Sequence, residues 1–453
     1  MSSSIQQYID IYKQFGARID TASSPVFNAL RPAALAALEG RRMPVKGDEN
    51  YEVSDIEAIY APDYGINIDR LAATADTDEP FRCDVPNLST SLYYVFNDTY
   101  QGNPQAQLPN GVIVASMNDS ACNEIVSRYY GTIAPISDPQ VALNSLLAQD
   151  GLLIYIPAGV VVERPIQLVN LLRANSPLMT NRRVLVVAEA GSQVKILVCD
   201  HTQSHDTDFL NTQVVEVFVG EGATLDYYDL EEASEKTHRV SSMWVRQAAS
   251  SNVLINGITL MNGITRNNYH IDIDGQHAET TLLGMAIASN TQHIDNHTYI
   301  GHNVGYCHSN ELFKYVLDDD AVGAFTGKIL VAPDSPRTEA YQSNRNICAS
   351  NRAKMYTKPQ LEIYTDDVKC GHGATVGQLD QDAMFYMQTR GISCQEARTL
   401  LMQAFMSDII DGVRLEALRD RLRHLVEKRF AGTLAQCRNC TASQSCHTKI
   451  KKK

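Results

Sequence analysis

From about Val112 to residue 378 the chain is a succession of short β-branched runs with no long helix signal between them. That pattern bounds the fold more tightly than any other feature. The runs are Val112–Val114, Leu152–Ile156, Val184–Val187, Val194–Val198, Val214–Val219 and Val253–Ile258, separated by small turn clusters. Polar and apolar residues do not alternate evenly along them, which predicts strands covered on both faces. Three turns share a small-Gly pattern ahead of a strand: PAGVVV (Pro157–Val162), EAGSQVKI (Glu189–Ile196) and GEGATLDY (Gly220–Tyr227). They recur about every 31 residues, a period typical of solenoids. Gly159, Gly191 and Gly222 would supply tight corners at low steric cost. A stacked β-solenoid accounts for this better than a doubly wound sheet, with a large β-sandwich as the competing arrangement.

The flanks differ. Ile5, Tyr8, Ile9, Tyr12 and Phe15 recur at helical spacing, and Ala33–Leu38 continues an Ala/Leu-rich pattern. The Gly/Pro/Asn/Gln-rich stretch Asp98–Pro109 marks a boundary. Beyond Asp380, Ser393 and Glu396 form a capping box ahead of an apolar stripe of Ala397, Leu400, Leu401, Ala404, Phe405 and Ile409. Leu415, Leu418, Leu422, Leu425 and Val426 make a second stripe, and Gly432 is placed to stop its helix. The expected division is a mainly helical region at 1–110, a β core at 111–378, a helical region at 379–431 and a basic, Cys-containing tail at 432–453.

A formal charge of -13 over 453 residues argues against a nucleic-acid partner, since the one strongly basic run is Lys449 with Lys451–Lys453. The start MSSSIQQYID lacks a charged region followed by an apolar one, so no signal peptide is expected. The most apolar stretch, Gly151–Leu172, is broken by Glu163, Arg164 and Pro165 and predicts no membrane span. A cytoplasmic chain is the expectation, with its ten cysteines reduced and serving as core residues or ligands.

Catalytic motifs are not supported. Gly323-Ala-Phe-Thr-Gly327-Lys328 resembles a phosphate loop, but its glycine spacing is short and Ile329 stands where Mg²⁺ needs a hydroxyl. Gly220-Glu-Gly222 lacks the third glycine of a dinucleotide loop. Four features could hold a metal. His293, His297, His302 and His308 lie close in sequence, with His293 and His297 on one face of a strand; a structural polar stack is the simpler reading. Cys370 and His372, two residues apart, point the same way on a strand and could share a soft or borderline metal. Cys348 reads as core unless the fold brings a ligand near. The tail places Cys437 and Cys440 in a C-x-x-C, followed by Cys446 and His447, a donor set suited to zinc or an iron–sulfur cluster.

Several segments together resemble the SufB/SufD family of iron–sulfur cluster assembly scaffolds: DNHT (Asp295–Thr298), SNELFKYVLDD (Ser309–Asp319), FTGKILVAPDS (Phe325–Ser335), TKPQLEIYTDDVKCGHGATVGQLD (Thr357–Asp380) and FYMQTRGI (Phe385–Ile392). IPAGVVVERPIQL (Ile156–Leu168) is similar as well, and T-K-P-x-L-E-I and K-C-x-H-G-A-T look like the SufD branch. The resemblance implies a right-handed parallel β-helix core with helical N- and C-terminal regions. It implies a heterodimer with a SufB-like subunit, with a homodimer as the form open to the isolated chain. A SufC-like ATPase would dock on the C-terminal helices, expected at Gln395–Ile410 and Arg414–Phe430, with Arg398 and Asp408 as candidates to orient it. Nucleotide would then bind in that partner and not in this chain. A transient iron–sulfur cluster would form at the subunit interface, with His372 as a ligand and Cys370 beside it. Two other readings remain: a purely structural partner whose mate supplies every ligand, and a β-helix enzyme using Asp318-Asp319-Asp320 or Asp366-Asp367.

Overall fold

The computed structural model describes residues 3–70, 89–103 and 106–432. Successive strands alternate between two sheets. One runs, in order across it, Lys354–Ile363, Val322–Val331, His293–His302, Ile264–Ile273, Thr237–Gln247, Phe209–Val219, Leu178–Ala188 and Leu152–Ile156, with Ile113–Ser116 added antiparallel. The other runs Val368–Gly377, Thr338–Cys348, His308–Leu317, Glu279–Ala288, Asn252–Met261, Thr224–Glu232, Gln193–Thr202, Ile166–Leu172 and Ser91–Phe96. Pairing along both stacks is parallel, giving a β-solenoid of about eight turns rather than a sandwich.

The corners show why the chain can climb this way. Gly159, Gly191 and Gly222 have φ of 71°, 68° and 66°, the left-handed region that glycine enters without penalty. The Gly159 amide donates to Ala190 O at 2.8 Å, Gly191 to Glu221 O at 2.7 Å and Gly222 to Ala249 O at 2.9 Å, so each corner is tied to the next. The column continues through Ser250, His277, Tyr306 and Arg337, all with positive φ, although none is glycine.

Three apolar layers explain the lack of alternation in the strands. The interior is filled from both sheets by residues such as Ile196, Val217, Ile255, Ile271, Phe313 and Ile329. Helices Ser4–Thr21, Pro25–Leu38 and Pro139–Leu147 cover the outer face of the first sheet, where Tyr8, Ala34 and Leu143 share a cluster with Met179, Leu210 and Val240. Helices Cys394–Asp411 and Glu416–Phe430 cover the second, packing Met402, Met406 and Leu418 against Tyr228, Leu254 and Met285. Strands sandwiched in this way bury both faces and read as near-continuous apolar runs.

Two sequence expectations need correction. Helices Asn123–Tyr129 and Pro139–Leu147 occur within the run read as uninterrupted strand; both are too short to leave a full periodic signature. In the helix Cys394–Asp411 the buried face is Ala397, Met402, Met406, Ile409 and Ile410, whereas Leu400 and Ala404 are exposed. The methionines supply the missing half of that face. The second stripe is buried as expected at Leu418, Leu422, Leu425 and Val426. Ser393 caps the first of these helices, its hydroxyl accepting from the Glu396 amide at 3.2 Å. Among the described residues no helix is long and apolar enough to cross a membrane.

Candidate functional site

Both helical covers stop short of the last turn of the solenoid. Among the described residues the strands Lys354–Ile363 and Val368–Gly377 each pair on one side alone, with Val322–Val331 and Thr338–Cys348, so both are edge strands. Their residues are mostly exposed or half-buried, in contrast to the strands behind them. Gly373 and Gly377 leave the last strand without side chains over part of its length; nothing lies within 4 Å of where a Cβ would stand. An unpaired, sparsely covered edge of this kind is a template for another chain's backbone. Pro359 within Lys354–Ile363 is itself an edge signal, because a proline cannot donate to a ladder.

Cys370 and His372 sit on this last strand, opposite Ala340 and Gln342. The strand register has no bulge here, so the two side chains share the inward face, about 7 Å apart along the strand. Cys370 is half-buried against the interior cluster, with Val368 beside it. Burial pushes its thiol pKa up, eased by the Ala340 backbone, so the free chain favours the thiol over the thiolate. His372 is exposed at the open end. Lys369 pairs with Glu339 at 2.7 Å beside them, giving the site a charged rim.

Cys348 does not join them. Ile347 stands opposite Gly377, which places Cys348 some eight residues along the strand from Cys370, about 26 Å away. The four histidines also fail to converge. His293 meets the Ser54 hydroxyl at 3.1 Å, and His302 meets Ser309 at 2.8 Å on the opposite face of the same strand. Burial lowers the pKa of His297 to about 3 and of His302 to about 4, as expected for neutral rings built into packing. His308 lies 4.0 Å from Glu339 at the surface. Cys437, Cys440, Cys446 and His447 lie outside the described residues. Among the described residues no three His, Cys, Asp or Glu side chains are grouped to hold a metal ion. Cys370 and His372 are therefore at most part of a ligand set.

Other motifs resolve into structure. Gly323–Lys328 is the middle of the strand Val322–Val331, paired on both sides, and not a strand-to-helix loop around a phosphate. Asp318, Asp320 and Asp367 are paired with Arg398, Arg352 and Arg337. Arg398 and Asp408 both face the solenoid: Arg398 binds Asp318 at 2.7 Å, and Asp408 binds Lys314 at 2.6 Å. What the sequence reading missed is an exposed aromatic set near the open end. Tyr364 is 60% exposed, and Phe385 and Tyr386, on the helix Gln381–Thr389, are 68% and 59% exposed. All three fall in segments that carry the family resemblance, but they lie off any periodic stripe, so nothing in the sequence marked them as exposed.

Comparison with known proteins finds relatives along most of the chain. The model of the SufBD core domain of the SUF system for FeS cluster assembly matches residues 171–405, and that of the SufBD protein N-terminal region matches residues 2–168. An iron–sulfur cluster assembly SufBD family protein of Synechocystis is 28% identical over 411 residues, covering 88% of this chain and 90% of that protein. The iron–sulfur cluster assembly protein SufD of Escherichia coli is 30% identical over 214 residues, 47% of this chain and 51% of that one. SufD of Bacillus subtilis is 24% identical over 414 residues, 88% and 94% of the two chains.

Proposed function

Because the chain belongs to the SufBD family of iron–sulfur cluster assembly proteins, we propose that it is the SufD-type scaffold subunit of a cytoplasmic assembly complex. It pairs with a SufB-like subunit through the open end of the solenoid. It offers His372, with Cys370 beside it, to a nascent cluster that is cargo and not a resident cofactor. It performs no catalysis and binds no nucleotide itself; a SufC-like ATPase docks on the C-terminal helices.

The observation that carries this reading is the coincidence of two unpaired edge strands with an incomplete ligand pair on one of them. A partner that extends both sheets would bring its own donors to Cys370 and His372. Thiolate suits cluster iron, and an imidazole ligand serves a site that must later release its cluster. Burial raises the Cys370 pKa in the free chain, so iron bound beside it, and not contact alone, is what would favour the thiolate. The helix Gln381–Thr389 buries Met384 alone and leaves Phe385 and Tyr386 outward, the kind of apolar anchor that a docking partner covers. We assign the ATPase to that helix and the exposed Leu400 face of its neighbour, since Arg398 and Asp408 are engaged with the solenoid.

The test is anaerobic cluster assembly by the complex with SufB-like and SufC-like subunits, comparing wild type with His372→Ala and Cys370→Ser by iron and sulfide content. Loss in His372→Ala with the complex intact is expected. Unchanged assembly in both variants would leave a purely structural partner, with every ligand on the other subunit. Cys437, Cys440, Cys446 and His447 form a separate proposed metal clamp, tested by metal content of a chain ending at Gly432.

A further inference from the structure

Along the second sheet, Leu282, Glu311, Gln342 and His372 are successive partners in register and form one inward-facing column. The column is apolar at Leu282, which belongs to the interior cluster, and turns polar over its last three rungs. Glu311 and Gln342 are fully enclosed, with 0% and 2% exposure, whereas His372 stands at the mouth. Gln342 Nε2 donates to Glu311 Oε2 at 2.8 Å, which fixes the amide orientation. The amide lies over Gly327 of the facing sheet, where any Cβ would collide with Nε2. Its other end, Oε1, is buried and has no partner.

A buried acceptor without a donor is uncommon in folded proteins and draws one in where it can. The next side chain towards the opening is His372, one strand spacing of about 4.8 Å away. We propose that Gln342, held by Glu311, is a positioning residue for His372: its Oε1 accepts the imidazole N–H and leaves the other ring nitrogen unprotonated and facing outward. A neutral imidazole has one donor and one acceptor nitrogen, so anchoring the donor selects the tautomer that can bind metal. Metal-binding histidines ordinarily have such an outer partner, whose loss weakens metal affinity by about 10- to 100-fold. The functional half of this inference rests on His372 being a ligand; the positioning half does not.

The test is long-range ¹H–¹⁵N spectroscopy of the full chain labelled at histidine, with His372→Ala identifying the signal. One dominant His372 tautomer is expected in wild type, reverting to the mixture of a free imidazole in Gln342→Leu. Glu311→Gln, nearly isosteric, lets the Gln342 amide turn over and should shift the ratio part of the way. A tautomer ratio identical in wild type and the folded variants overturns the inference. Anaerobic Fe(II) titration of the complex with the SufB-like subunit should show about 10- to 100-fold weaker binding in Gln342→Leu. A locked, Gln342-dependent tautomer together with undiminished Fe(II) binding in His372→Ala would instead overturn the ligand reading and leave the positioning intact.

Discussion

Lys314 Nζ lies 2.6 Å from Asp408 Oδ2 and donates to Phe405 O at 2.7 Å, so a lysine on a covered face of the solenoid is neutralised from the helix that covers it. The pair is lopsided: the Lys314 side chain is 4% exposed and that of Asp408 is 53% exposed. Removing Asp408 strands a buried ammonium, whereas removing Lys314 leaves a carboxylate that water can solvate. Asp408→Ala should cost about 2 kcal/mol, below the value for a wholly buried pair, and Lys314→Met about half as much. Urea unfolding would measure both, and amide exchange should show the helix Cys394–Asp411 opening first in Asp408→Ala.

The opposite cover has a deeper anchor. Glu216 accepts from Arg183 at 2.5 Å and from the amides of Gly131, Ile133 and Ala134 at 2.8, 3.2 and 3.3 Å. The Arg183 guanidinium also stacks 4.6 Å from the Tyr130 ring. One carboxylate thus ties the 131–134 loop to a solenoid strand. Glu216→Gln keeps the shape, removes the charge and leaves Arg183 buried without a counterion. A loss of about 3–5 kcal/mol is expected by chemical denaturation, whereas Arg183→Met with Glu216→Gln should recover part of it.

His302 gives the pH dependence a definite sign. Burial holds its folded pKa at about 4, against 6.5 for an ordinary imidazole, with His308 nearby acting in the same direction. Between those values the unfolded chain binds a proton that the folded chain refuses, so stability falls as pH drops from about 6.5 towards 4. His302→Gln retains a polar partner for Ser309 and cannot titrate. Its stability measured against wild type should therefore improve progressively on acidification through that window. A constant difference between the two proteins would contradict it.

The legible part of the fold was the part set by glycine. Gly159, Gly191 and Gly222 announce three corners, but Ser250, His277, Tyr306 and Arg337 hold the same left-handed conformation with side chains. The His277 and Tyr306 rings lie 5.5 Å apart and Arg337 lies 5.5 Å over the Tyr306 ring, contacts that exist only after the turns are stacked. The shared face of Cys370 and His372 followed from the two-residue period of a strand. Their unequal burial did not, because it depends on this strand being last. The separation of Cys348 from the site required the pairing of Ile347 with Gly377, a register that no local pattern encodes. Gln342 and Glu311 were invisible for the same reason: they meet across strands 31 residues apart.

If the ATPase docks on the outward aromatics, Phe385→Ala with Tyr386→Ala should weaken that association by about tenfold or more, as expected for loss of exposed anchor residues. Neither ring contributes to the buried clusters, so the thermal midpoint should stay near that of wild type. Pull-down of the SufC-like subunit would measure the first and thermal unfolding the second. Cluster content should fall only in assays that require ATP.

Val376→Lys probes the other surface. Val376 is on the last strand, 50% exposed, and has no strand beyond it among the described residues. Lysine on an edge strand is a standard obstacle to further pairing, because the charge must be desolvated when a new strand is added. The isolated chain should keep its stability to within about 0.5 kcal/mol, since an exposed position is being changed. Association with the SufB-like subunit should fall by more than tenfold, and any homodimer of the isolated chain should shift towards monomer, because both would use the same edge. Size-exclusion chromatography with light scattering would read both equilibria. Binding of the ATPase should be untouched, the reverse of the result at Phe385 and Tyr386; a Val376→Lys chain that still pairs with the SufB-like subunit would move the interface away from the open end, and with it the reason for placing a shared cluster beside His372.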